Sequence, residues 1–470
     1  MDQLDRVPCI QVNSSNIDLC WSHLIKAIEQ SHFVAIDLEL SGLGDKKKLI
    51  LKDIEDRFQA IGEVAKTRSI LSVGLSFFRY NRRRADNSIK IPEEIELNEW
   101  NFKVSNYEIL TLCNEESVLE DESRSFLVSH GFDFQLQQSS GLPYLRGQQE
   151  SDSDTHSIRN LFKALISKKV PLVFHNGLLD LIFIYHNFLT SLPPKLTSFV
   201  ADLDKLFPKG IFDTKYIAEH GFCPKGSYLE YLFYQRQRRN LERFVSNKCF
   251  IAIDFTPTDS VSSYTVHRSM KTTILGEKPD GLKICGDYRQ HGWCKDGAEC
   301  KRSHDIDFIL DDEDIYKEPS KSRKRILLKM SSISNSKEIP ATNGSNEETS
   351  EHINGQVKSG IHRSGYDAFM TGYCLATFII QLSKPKPGKS GRLNFSTSDI
   401  KKITNKIFLT GKKDPLLIRF STYSKPSSRI TNILSVINKE EPEEENKLDE
   451  NSLEDKEIES STSSNEENKS

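Results

Sequence analysis

The chain has 470 residues, of which 28% are charged and 37% hydrophobic, with a formal net charge of −3. That length supports two or three domains and a sizeable core, and the near-neutral balance does not mark the whole chain as a nucleic-acid binder, although segments of opposite sign are averaged within it. Met1 to Arg6 lacks the basic start and apolar core of a signal peptide, and no run reaches the roughly 18 apolar residues that span a bilayer. Phe369 to Leu382 comes nearest but is short and interrupted by Gly372, so no membrane partner is expected. Nine cysteines, an odd number in a long chain, argue for free thiols and metal ligands in a reducing compartment.

In chain order, Leu19 to Ile28 is amphipathic and predicts a helix leading into the apolar strand Phe33 to Leu40. Asp53 to Ala65 has helical spacing at Ile54, Phe58, Ile61 and Val64, and Ser69 to Phe78 and Tyr107 to Cys113 read as second and third strands separated by the polar stretch Asn81 to Glu99. A helix over Ser157 to Ile166, a short strand over Val170 to Phe174, a helix over Leu178 to Leu189, a strand over Gly210 to Asp213 and a helix beginning at Ser227 to Phe233 follow. This alternation predicts a mixed α/β sheet flanked by helices. The predicted organisation is a first part of the α/β domain over 1–255, an insertion over 256–355, a second part of that domain over 356–425 and an acidic tail over 426–470. Within the last part of the fold, Ala368 to Leu382 predicts a strongly apolar helix whose Ala368, Gly372 and Ala376 form a stripe suited to close packing, and Asn405 to Arg419 is strand-like. The Ser/Asn/Glu-rich end of the insertion and the tail from Asn438 have too few apolar residues to offset chain entropy and are predicted to be disordered.

The first strand carries two acids, Asp37 and Glu39, two residues apart and so on one face. Neighbouring carboxylates repel unless a cation lies between them, which suits a hard divalent metal. Asp180 falls in the first turn of a predicted helix and Asp367 near the start of another, five residues after His362. Phosphodiester cleavage on two metals needs several carboxylates holding cations about 3.5–4 Å apart, and a histidine can orient or deprotonate the attacking water. Asp37, Glu39, Asp180 and Asp367 are therefore candidate ligands for two Mg2+ or Mn2+ ions, with His362 as candidate general base.

Cys285, Cys294, Cys300 and His304 are separated by eight, five and three residues, a donor set and density that suit one structural tetrahedral Zn2+. Tyr288, Arg289 and Trp293 lie among these ligands, where aromatic faces could stack on unpaired bases and cations could offset phosphate. The arrangement resembles the CCCH zinc finger, here over 280–308, a module that mostly binds single-stranded RNA. Lys321, Arg323, Lys324 and Arg325 form a basic run that reads as a nuclear localisation signal.

Taken together, Asp37-x-Glu39, Asp180 and His362-x4-Asp367 resemble the DEDDh 3′→5′ exonucleases, whose fold is ribonuclease H-like. Ala35 to Leu43, Ala65 to Ile70, Phe126 to Phe134, His175 to Asp180 and Gly365 to Gly372 are similar to the deadenylases of the poly(A)-specific ribonuclease group, with Leu38 and Leu40 where that group usually has Thr and Phe. The resemblance implies a magnesium-dependent enzyme that removes nucleotides from single-stranded RNA with a 3′ oligo(A) or short tail, releases 5′-AMP, and forms homo-oligomers as relatives often do. With the embedded finger and basic run it also implies a nuclear location, in nucleoplasm, Cajal bodies and nuclear speckles, and trimming of small nuclear RNA tails. The alternatives are a non-catalytic CCCH RNA-binding or transcription-associated nuclear protein that keeps a nuclease fold as scaffold, and a DNA-directed exonuclease of the same fold.

Overall fold

The computed structural model describes residues 2–81, 98–147, 155–272, 283–317, 363–383 and 393–439. Met1–Ser427 is one compact unit, and the second, Ser428–Ser470, contributes the helix Ser428–Lys439 to the described residues. His362, the basic run Lys321 to Arg325, the Ser/Asn/Glu-rich end of the insertion and the tail beyond Lys439 lie outside the described residues.

The strands are β1 (Val7–Val12), β2 (Phe33–Leu40), β3 (Ile70–Asn81), β4 (Glu99–Cys113), β5 (Leu142–Tyr144), β6 (Leu172–Phe174), β7 (Ile211–Asp213), β8 (Phe250–Phe255), β9 (Thr265–Arg268), β10 (Lys406–Ile407) and β11 (Leu416–Leu417). They form one mixed sheet in the order β11-β10-β7-β6-β2-β3-β4-β1-β9, with β5 and β8 also paired to β4. β2 lies between antiparallel β3 and parallel β6, and β7 continues parallel beyond β6. Buried on both faces, β2 reads as the near-continuous apolar run that such a position demands. The expected α/β class and flanking helices are present.

The helix Ser364–Ser383 is buried along nearly its whole length, from Ser364 to Ile380, as its all-round apolar sequence requires. It packs across β2 and β3 on its small-residue stripe. A Cβ at Gly372 would sit 2.1 Å from the Phe78 ring, so only glycine allows this approach. Phe33 and Phe78 stack at 4.8 Å beneath it.

Several elements differ from the sequence expectation. The third strand begins at Glu99 rather than near Tyr107. The helix after β6 is regular only over Leu178–Ile184 and widens into a π turn over Tyr185–Leu189. Within 256–355, β9 pairs with β1, and the helix Ile306–Lys317 buries Ile309 and Leu310 in the main core. No helix among the described residues is long and apolar enough to cross a membrane.

Candidate active site

Asp37 and Glu39 sit near the end of β2, opposite Gly74 and Ser72 of β3, and a register shift follows at Glu39/Leu40. Bulges of this kind recur where a strand must re-aim side chains beside a site. The first turn of the Ser364–Ser383 helix comes down on the same face and delivers Asp367. Oxygen atoms of Asp37, Glu39 and Asp367 lie within 4.8 Å of one another. Glu39 and Asp367 are buried and Asp37 is half-buried.

Asp180 is held apart from that triangle, in the first turn of the Leu178–Ile184 helix just beyond β6. It is nevertheless close enough to be felt. Burial, and then the charges of Asp367, Asp180 and Glu39, push the Asp37 carboxyl well above its ordinary range. Burial, opposed by a backbone N–H and reinforced by Asp213, raises Asp180 to about 7. Four acids gathered with that much mutual repulsion form a poor set of neighbours for one another and a good set for hard divalent cations.

The position of Asp180 depends on a carboxylate that the sequence showed only as the end of a strand. Asp213 is fully buried at the end of β7 and accepts five backbone N–H groups, from Asn176 (3.0 Å), Gly177 (3.1 Å), Lys215 (3.0 Å), Tyr216 (3.3 Å) and Phe408 (2.9 Å). It thereby fixes the turn between β6 and the helix carrying Asp180, a turn in which Asn176 adopts a left-handed φ of 64°. Burial raises its pKa, against the opposing pull of these N–H donors. The loop after Glu39 is held in a similar way by Glu120, which accepts from Leu43 N (3.1 Å), Gly44 N (3.0 Å) and Arg68 Nε (2.8 Å).

His175, beside the Asp180 turn, bonds through Nδ1 to Thr214 Oγ1 at 2.9 Å. Burial and then Lys215 push its pKa down to about 3, so it stays neutral near pH 7.

Cys285, Cys294, Cys300 and His304 form a second cluster, with one donor atom from each within 4.8 Å of the others. A short bridge between Ile284 and Ser303 brings the two ends of the loop together. Burial acts to raise the Cys285 thiol, but N–H groups of Tyr288 and Asp287 and the Cys294 and Cys300 thiols outweigh it and leave it below its ordinary value. Nε2 of His304 is buried with no hydrogen-bond partner, which is what a ligand nitrogen needs. Three thiols and a neutral imidazole at these separations fit Zn2+.

The three residues expected to contact RNA are placed differently from one another. Tyr288 stacks on His304 with ring centroids 4.3 Å apart and directs its hydroxyl to Glu230 at 3.3 Å. Arg289 pairs with Asp312. Trp293 is 66% exposed.

The sequence model for the CAF1 family ribonuclease matches residues 12–158 and 153–375. Among curated proteins the chain is similar to the pre-piRNA 3′-exonuclease trimmer of Bombyx mori, 34% identical over 90 residues, and to an uncharacterised protein of Schizosaccharomyces pombe, 28% identical over 137 residues. These matches cover 19% and 29% of this chain but only 16% and 30% of those proteins. Among solved structures it is similar to S. pombe Pop2p in its Mg2+- and Mn2+-bound form, with 17% identity and a TM-score of 0.35 over 50% of this chain and 82% of that one. The RNase domain of yeast Pop2 gives 14% identity and a TM-score of 0.35, covering 48% and 75%.

Proposed function

The chain belongs to the CAF1 family of ribonucleases, and from that premise we propose that it is a 3′→5′ exoribonuclease of the deadenylase type, hydrolysing RNA from its 3′ end on two divalent cations. The observation that carries this reading is the convergence of Asp37, Glu39 and Asp367, with Asp180 near enough to raise Asp37. These four would hold two Mg2+ or Mn2+. Bound there, such cations would supply the positive charge that activates a water and steadies the leaving oxygen. Asp213 and Glu120 keep the Asp180 turn and the loop after Glu39 in place without touching the reacting atoms. His362, five residues before Asp367 in sequence, is the proposed general base.

The finer reading rests on the sequence motifs. The substrate is single-stranded RNA with a 3′ oligo(A) or short tail, including small nuclear RNAs, and the product is 5′-AMP. The Cys3His cluster would hold one Zn2+ in a finger that binds RNA through Tyr288, Arg289 and above all the exposed Trp293, and Lys321 to Arg325 would direct the protein to the nucleus. The inserted finger and basic run are similar to what the nuclear deadenylase called target of early growth response protein one carries. Homo-oligomers follow from the same resemblance.

The test is incubation of the full chain with 5′-labelled RNA ending in an oligo(A) tail, with Mg2+, and resolution of products at single nucleotides. A ladder descending from the 3′ end with release of 5′-AMP is expected, absent in Asp37→Asn and absent or weaker on DNA of the same sequence. RNA association lost on zinc chelation, with no AMP released under any metal, would establish the non-catalytic RNA binder instead.

A further inference from the structure

Glu108 occupies the third position of a row that crosses the sheet. Asp37 on β2 pairs with Gly74 on β3, and Gly74 pairs in turn with Glu108 on β4. Paired residues in antiparallel strands point to one face, so Glu108 faces the same side as Asp37 at two strand spacings, about 10 Å. The space between them is open because Gly74 has no side chain. The start of the Ser364–Ser383 helix fills it: a Cβ on Gly74 would lie 1.8 Å from the Ser364 carbonyl oxygen.

Glu108 is 2% exposed and takes Nε and Nη2 of Arg363. The Arg363 carbonyl then accepts the backbone N–H groups of Tyr366 (2.9 Å) and Asp367 (3.0 Å), which sets the first turn on which Asp367 stands. Two further contacts fix the same point. Ser364 Oγ meets Ser72 Oγ at 2.9 Å, and Ser72 is the residue paired with Glu39. Gly365 fits so tightly that a Cβ would be 2.5 Å from Cys9 Sγ and 3.2 Å from Glu108 Cβ.

We propose that Glu108, through Arg363, is a positioning residue that sets the distance of Asp367 from Asp37 and Glu39, and with it the cation affinity of the site. The inference rests on the proposed function only in taking these acids as cation ligands. Glu108 itself is covered by Arg363 and stands two strands from Asp37. The pair acts as a tether: the helix start is seated over Gly74 by its own close packing, and the bidentate ion pair sets where along the sheet it stops. A planar guanidinium on a buried carboxylate supplies direction as well as attraction.

The matched comparison is Glu108→Gln against Asp311→Asn. Both remove the charge from a buried carboxylate paired with arginine, since Asp311 binds Nη1 of Arg238 at 2.7 Å away from the acid cluster. The readouts are the Mn2+ dissociation constant by calorimetry on the full chain, the thermal midpoint, and kcat and KM on tailed RNA. Both variants should lower the midpoint. Glu108→Gln should weaken Mn2+ binding about tenfold or more and lower kcat with little change in KM, whereas Asp311→Asn should leave the Mn2+ constant within twofold. Gly74→Ala, which pushes the Ser364 backbone outward without touching the ion pair, should also weaken Mn2+ binding, because it moves the same helix start. Equal Mn2+ affinity in wild type and Glu108→Gln would overturn the positioning role of Glu108, whatever Gly74→Ala does, while leaving the nuclease reading intact. A wild-type chain that binds no Mn2+ and releases no nucleotide would overturn the nuclease reading and this inference with it.

Discussion

The two clusters in this chain are assembled by opposite means. The Cys3His donors lie within twenty positions, and a six-residue helix, a bridge and a few turns gather them. The acids come from positions 37, 39, 180 and 367 and are brought together only by a sheet and the long helix that crosses it. The local cluster leans on its metal for shape, because twenty residues bury too little to order themselves. The distributed cluster is built by the core whether or not a metal is present, and the core works against four mutually repelling carboxylates to do it. A site of the first kind should lose its shape without its ion. A site of the second kind should keep its shape and gain stability from its ion.

The largest expected effect is on activity. Asp37→Asn keeps the shape of the side chain and removes a charge from the crowded group, so nucleotide release should fall roughly 10³-fold or more. Its metal-free thermal midpoint should match or exceed that of wild type, measured by calorimetry. A fall in both activity and midpoint would mean that the acids are structural rather than a strained metal site.

Stripping zinc comes next. Amide exchange over 283–304 should become fast, while β2 and β3 keep their protection. Tyr288 should follow the finger, since it rests on His304 and reaches Glu230. Slow exchange in the stripped finger would erase the contrast between the clusters.

Gly372→Ala tests the scaffold behind the acids. The added methyl meets the Phe78 ring at 2.1 Å, and overpacking of this kind costs about 1–3 kcal/mol. Urea unfolding should show that loss, with Zn2+ content unchanged.

Trp293→Ala should weaken RNA binding by about 1 kcal/mol or a little more, as loss of one stacked base does, while Tyr288→Phe should leave it unchanged. Filter binding with the inactive Asp37→Asn chain separates the two residues. A larger effect at Tyr288 would reverse their assignment.

The smallest effect is on pH. With its folded pKa near 7, Asp180 holds a proton that the unfolded chain has already released above about pH 4. The metal-free fold therefore binds more protons than the unfolded chain in that window, and its stability should fall as pH rises from about 4 through 7. Mn2+ requires the ionised form, so the gain in midpoint on adding Mn2+ should grow over pH 5–8. A gain that is flat with pH would separate Asp180 from the cations.

Much of this was legible in the sequence because it is periodic or compositional. The apolar strand with Asp37 and Glu39, the all-round apolar helix after Asp367 and the spacing of Cys285 to His304 each carry their own local signal. Strands β1, β8 and β9 were not legible, since each exists by pairing with a distant partner. Asp213 and Glu108 were invisible for the same reason. Each is one acid near or within an apolar strand, and its role comes from backbone N–H groups or an arginine that only the fold supplies. The stacking of Tyr288 on His304 also lay beyond the sequence, because spacing alone does not show which ring a tyrosine meets.

Electron paramagnetic resonance of the Mn2+-titrated chain reads directly whether Asp180 joins the other three acids in holding a pair of cations. Two Mn2+ about 3.5–4 Å apart are magnetically coupled. The account predicts a coupled-pair spectrum in the wild type that collapses to a single isolated ion in Asp180→Asn. Only isolated Mn2+ in the wild type, or a coupled pair that survives in Asp180→Asn, would contradict it.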